Sequence, residues 1–111
     1  MNRGHEIKEF EEPRLFIERI RSMDEGTIGC TNHALFRLSE KQRKMFTEET
    51  LKRFLTEETP IKVGIRHNGC FAAYYPYSNK REAIRIVVDI KPASAEIVTF
   101  YIVDTNQIPR G

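Results

Sequence analysis

The sequence predicts an α+β domain in which two to three N-terminal helices pack on a four-stranded antiparallel meander sheet. Three observations carry this reading. Apolar residues in the first half recur at helical spacing, with Phe16, Ile20 and Met23 at i, i+4 and i+7. From Ile61 the period drops to two, so that Ile61, Val63 and Ile65 alternate with Lys62, Gly64 and Arg66. Asn68-Gly69 then separates two such runs, a strong signal for a two-residue hairpin loop.

Each element follows from local chemistry. Residues 1–12 are polar and read as irregular. Pro13 suits the first position of a helix, where its missing N–H is not needed, and Gly26 suits the stop. Thr31 or Asn32 caps a second helix. At about 100° per residue it places Ala34, Leu35, Leu38 and Gln42 on one side, and His33, Arg37, Glu40 and Lys44 on the other. A third, short helix over 48–55 starts at Thr47, with Glu48 and Glu49 complementing the dipole, and buries Leu51, Phe54 and Leu55. Strands follow over 61–65, 70–75, 84–90 and 97–103, with a turn over 91–96. On the last strand Val98, Phe100 and Ile102 point one way and Thr99 and Tyr101 the other. The tail, 105–111, reads as irregular.

At 111 residues the chain is one domain, organised as a helical extension over 1–28, a core over 29–104 and a tail over 105–111. Hydrophobic residues at 40% and charged residues at 31% fit a globular class rather than disorder. No stretch approaches the apolar length of a membrane span and the start lacks an apolar signal core, so a cytoplasmic protein is expected. Cys30 and Cys70 are then reduced thiols. Neither they nor the scattered His5, His33 and His67 have metal-ligand spacing, so no metal and no cofactor is expected. The net charge of +2 by itself names no polyanion partner, but positive charge collects in residues 29–44, at +3, and 61–91, at +4. An RNA surface would need it there.

Nucleotide-binding glycine loops, nucleophile elbows and paired acidic metal sites are absent from the sequence. His33 and Arg37, four residues apart, share a helix face, which Lys41 and Lys44 continue. An imidazole in a cationic row suits a phosphate; an ordinary solvated helix face explains the same residues. Thr99 and Tyr101, with Arg85 on the neighbouring strand, offer a hydroxyl, a phenol and a guanidinium near one another, although Thr and Tyr are also plain strand formers. Tyr74, Tyr75 and Tyr77 suit either base stacking or core packing, and Arg66 and His67 fall at the hairpin turn. Cys30, shortly before a helix start, reads as either a thiolate nucleophile or a buried structural cysteine.

Three segments, Thr31-Asn32-His33-Ala34-Leu35-Phe36-Arg37, Met45-Phe46-Thr47-Glu48-Glu49-Thr50-Leu51 and Ile97-Val98-Thr99-Phe100-Tyr101, resemble a small uncharacterised-domain family with a T-x-H-A-x-x-R motif. That family is grouped with the barnase, colicin and RelE-like nuclease fold, which includes metal-independent ribonucleases and toxins of toxin-antitoxin pairs. The resemblance spans about residues 30–103, and Phe46 stands where a glycine is common in the family. It implies a RelE/barnase-like core, a metal-independent endoribonuclease acting on RNA, and a cognate antitoxin as partner. His33 would transfer protons, Arg37 would hold phosphate charge, Thr99 and Tyr101 would donate hydrogen bonds, and Arg85, Lys41 and Lys44 would bind substrate. A non-catalytic RNA- or protein-binding module on the same fold is the alternative.

Overall fold

The computed structural model describes residues 7–31, 46–77 and 81–109. In chain order these form β1 (Ile7–Glu11), α1 (Pro13–Arg21), a 3-10 turn (Glu25–Thr27), β2 (Ile28–Cys30), α2 (Glu48–Glu57), β3 (Lys62–Arg66), β4 (Phe71–Tyr77), β5 (Glu82–Lys91), β6 (Ser94–Asp104) and a 3-10 turn (Thr105–Gln107). The strands make one six-stranded sheet in the order β1-β3-β4-β5-β6-β2. Every pairing is antiparallel except β2 with β6, which is parallel.

This corrects the four-stranded antiparallel meander with two to three N-terminal helices. The sheet has six strands and is mixed, and two α-helices are found among the described residues. The second predicted helix, with His33, Arg37, Lys41 and Lys44, lies outside the described residues. The additional strands come from segments read as irregular or helical. β1 is an edge strand whose Lys8, Glu9 and Glu11 hide its period, and a register shift between Ile7 and Glu9 breaks its alternation. β2 has only three residues, too few to carry a periodic signal.

Both helices pack on one face of the sheet. α1 begins with Pro13 at its N-terminus and buries Phe16 and Ile20 one turn apart. α2 is capped by Thr47, whose Oγ1 accepts the Thr50 N–H at 3.1 Å, and buries Leu51 and Leu55. These side chains meet Val63, Ala73, Tyr75, Ile84, Ile86, Val88, Ile97 and Phe100 from the sheet. Rings fix the packing further: Phe54 lies 5.6 Å from Tyr75, and Phe46 lies 5.3 Å from Phe100 and 5.6 Å from Tyr77, centroid to centroid.

The second face carries a smaller cluster of Ala72, Tyr74 and Val87, against which Ile7, Cys70, Val98, Val103 and Ile108 pack. Two backbone details decide what reaches it. The β3–β4 loop has three residues rather than two: Arg66 pairs with Cys70 through a 2.8 Å N–H to O bond, and Gly69 N–H closes on Arg66 O at 2.9 Å. Gly69 takes φ +90°, a conformation that glycine alone adopts freely. Arg66 is therefore a strand residue and not a loop residue. On β6, Ile97 pairs with Val88 while Thr99 pairs with Val87, so Val98 is an extra, bulged residue. Val98 consequently lies on the side of Thr99, not with Phe100 and Ile102 as strict alternation predicts.

Gly64 sits under Ile7. A Cβ there would lie 2.7 Å from Ile7 Cδ1 and 2.9 Å from its Cγ2, so β1 rests on the missing side chain. Gly64→Ala is expected to destabilise the protein by about 1–2 kcal/mol, the lower range for overpacking, read as a lowered midpoint in urea unfolding. Adding Ile7→Ala should recover part of that loss; strictly additive effects would mean that the two residues do not meet.

Candidate functional site

Cross-strand register assembles the second face in rows. One row runs Lys62, Tyr74, Arg85, Tyr101 across β3, β4, β5 and β6. The next runs Gly64, Ala72, Val87, Thr99, a floor of small or modest residues in which Ala72 and Val87 are fully buried against Ile7, Cys70, Val98, Val103 and Ile108. Arg66, opposite Cys70, stands beyond that floor. The charges that act on its guanidinium are those of Arg85, Cys70, Tyr101 and Tyr74. Two guanidiniums from the two flanking rows thus lie within electrostatic reach of each other, and Tyr74 and Tyr101 flank Arg85 in its row.

The groups differ in access. Arg66 is 6% exposed and Tyr74 3%, whereas Tyr101 is 37% exposed and Arg85 and Thr99 are half-buried. The Arg85 guanidinium carbon lies 5.8 Å from the Tyr74 ring centroid, a cation–π contact that holds it above the sheet. Burial first, and the neighbouring Arg85 charge second, hold the Arg66 guanidinium below its ordinary range. Burial pushes the Tyr74 phenol up, and Arg85 and Arg66 pull against it. An oxyanion near Arg85 would feel both cations in a partly desolvated place, where charge interactions exceed their worth in water.

Of the residues singled out in the sequence, Arg85, Thr99 and Tyr101 share this face, and Arg85 and Tyr101 are direct cross-strand partners. His33, Arg37, Lys41 and Lys44 lie outside the described residues. The tyrosine cluster divides between the faces: Tyr74 belongs here, while Tyr75 and Tyr77 pack in the main core. His67 is exposed in the β3–β4 loop. Arg66 and Tyr74 were missed as site residues. The usable signal was parity: the alternation of Val63 and Ile65 with Lys62 and Arg66 already separates the cations from the core side.

Two other features were weighed. A hollow of about 480 Å³ along α2 is lined by Glu48, Glu49 and Glu57 against Lys52 and Arg53, a poor match for a polyanion. Among the described residues, no three His, Cys, Asp or Glu side chains gather as metal ligands.

Both cysteine thiols stand above their ordinary range. Burial pushes the Cys30 thiol up from 9.0 to about 11, with Glu48 and Glu96 adding to the rise and Lys52 opposing it. Burial and Asp89 likewise raise Cys70, against Arg66. A raised thiol pKa favours the native state fully below 9.0, and that contribution is lost as pH rises through about 11. Iodoacetamide alkylation of native Cys30, followed by mass spectrometry, is therefore expected to be slow near neutral pH and to climb between pH 9.0 and about 11. In urea the climb should move down towards 9.0; rapid alkylation of the native protein at neutral pH would contradict the burial effect. Comparison with protein-family models, curated proteins and solved structures gives no match for this chain.

Proposed function

We propose that the second face binds the phosphodiester backbone of RNA and that the protein cleaves it as a metal-independent endoribonuclease. The observation that carries this is the placement of Arg66 and Arg85 on either side of the Gly64, Ala72, Val87 and Thr99 row, within electrostatic reach of each other, with Tyr101 at the exposed edge. RNA fits this chemistry because its 2′-hydroxyl is a built-in nucleophile. A base removes that proton, the oxygen attacks the adjacent phosphorus, and an acid protonates the departing 5′-oxygen, leaving a cyclic phosphate. Arg85, backed by Arg66, stabilises the negative charge that builds on the phosphorane, and the hydroxyls of Thr99 and Tyr101 donate to its oxygens.

Proton transfer is assigned to His33, as the resemblance of the Thr31 to Arg37 segment to the T-x-H-A-x-x-R family implies, with Arg37 as a further cation. The described chain supports this from one side. Thr31, two residues before His33, donates its N–H to Ile97 O at 2.9 Å and its Oγ1–H to Val98 O at 3.3 Å, beside Thr99. A toxin role and an antitoxin that masks the same face rest on the family resemblance alone.

A second reading, a non-catalytic RNA-binding module, is favoured by the burial of Arg66 and Tyr74 beneath the surface. Cleavage of a single-stranded RNA in excess chelator separates the two. Wild type is expected to give cyclic-phosphate products, and His33→Ala and Arg85→Ala each to slow cleavage by about 10²-fold or more. A DNA strand of the same sequence should stay intact. Equal cleavage by all three proteins would remove both residues from the reaction; salt-sensitive binding without products would establish the binding module instead.

A further inference from the structure

Beyond the tyrosine of β4, the Lys62, Tyr74, Arg85, Tyr101 row continues into a groove of about 570 Å³ between β1, β3 and the chain that follows β6. Its volume lies within the range of about 300–1,000 Å³ usual for small-ligand sites. Phe10, Pro13, Ile61, Ile108 and Pro109 give it apolar walls, and Lys62 supplies a cation. Phe10 is 38% exposed and Ile61 50%, although both are large and apolar. The Lys62 ammonium lies 4.5 Å from the Phe10 ring centroid.

The far wall is built rather than slack. Asp104 N–H donates to Gln107 Oε1 at 2.8 Å, Thr105 N–H to Arg81 O at 2.8 Å, and Ile108 N–H to Thr105 O at 3.2 Å. Thr105–Gln107, at the start of the segment predicted as an irregular tail, is thus a hydrogen-bonded turn that sets Ile108 against the Tyr74 cluster. The groove's charge is also settled. Its acidic member, Glu11, is 7% exposed at the side chain and is held by Arg19 at 3.0 and 3.3 Å, which leaves Lys62 as the charge turned to a ligand.

We propose that this groove seats a nucleobase of a single-stranded RNA, stacked on Phe10 in the place the Lys62 ammonium takes over the ring, while Lys62 swings to that nucleotide's phosphate and Arg85 holds the phosphate farther along the strand. β3 and β5 lie about 10 Å apart across the sheet, two strand spacings, so an extended strand following the row reaches both. A base in a duplex is stacked and paired and cannot enter; an unpaired one can. The inference deepens the RNA reading and rests on it: it makes the substrate single-stranded and longer than a dinucleotide.

Fluorescence anisotropy on the full chain tests it, with fluorescein-labelled 2′-O-methyl pentauridylate and diuridylate, which lack the attacking hydroxyl, as probes and melting temperature as the control for folding. Wild type is expected to prefer the pentamer, and Phe10→Ala to shrink the pentamer-to-dimer affinity ratio by about tenfold, within the usual worth of one base–aromatic stack. Phe10→Tyr, which keeps a ring, should restore the ratio. An unchanged ratio in Phe10→Ala, while Arg85→Ala still weakens both probes, would overturn the base subsite and leave the RNA face standing. Equal affinity for a duplex and a single strand would also overturn the subsite. Failure of wild type to bind any of these RNAs would overturn the RNA reading and the subsite with it.

Discussion

One extra residue in β6 separates the core of this protein from its polar face. Ile97 is opposite Val88 and Thr99 is opposite Val87, and Val98 between them has no partner of its own. Were the strand regular, the alternation set by buried Ile97 would carry Thr99 and Tyr101 into the core and turn Phe100 out. The bulge reverses the order after Ile97, so Ile97 and Phe100 are both buried under the helices while Thr99 and Tyr101 stand beside Val87 and Arg85. Bulges interrupt the ladder, and here the Thr31 hydroxyl occupies the Val98 carbonyl at 3.3 Å. The anchor of β2 and the exposure of Tyr101 therefore depend on the same residue.

The second face follows from side-chain size. Gly64 leaves room beside Ala72 on the adjacent strand, and Ile7 fills that room from β1. Like charges within electrostatic reach of each other in partly desolvated surroundings raise each other's potential, which suits a site for an anion. Burial likewise raises both thiols above their ordinary range.

What could be read from the sequence depended on how local the deciding interaction was. The strands from Lys62 onward announce themselves by alternation, and α2 by Thr47, Glu48, Glu49 and the Leu51/Leu55 spacing. β1 and β2 do not, because each is held by a strand far along the chain: Phe10 by Gly64, and Gly29 by Glu96. Only the partner reveals them, and the parallel pairing of β2 makes the sheet mixed. The loop after Arg66 differs from expectation by one residue, since Gly69 in the left-handed region serves a three-residue loop as well as a two-residue one. That single step hid Arg66 as a strand residue. Arg85, Thr99 and Tyr101 were legible because alternation holds along β5 at Arg85 and along β6 from Thr99 onward, past the bulge at Val98; the turn after Asp104 was not, because its bond from Asp104 N–H to Gln107 is a side-chain matter that periodicity ignores.

The central claim is that Arg66, Arg85, Thr99 and Tyr101 form an RNA-facing surface. Backbone amide shifts of isotope-labelled protein, followed while single-stranded RNA is added at low salt, test it most directly. The expected result is a set of shifts concentrated on β3, β4, β5 and β6 around Arg66, Tyr74, Arg85 and Tyr101, fading as salt is raised, with α1 and α2 unmoved. Shifts confined to the helices, or none on these strands at saturating RNA, would contradict it.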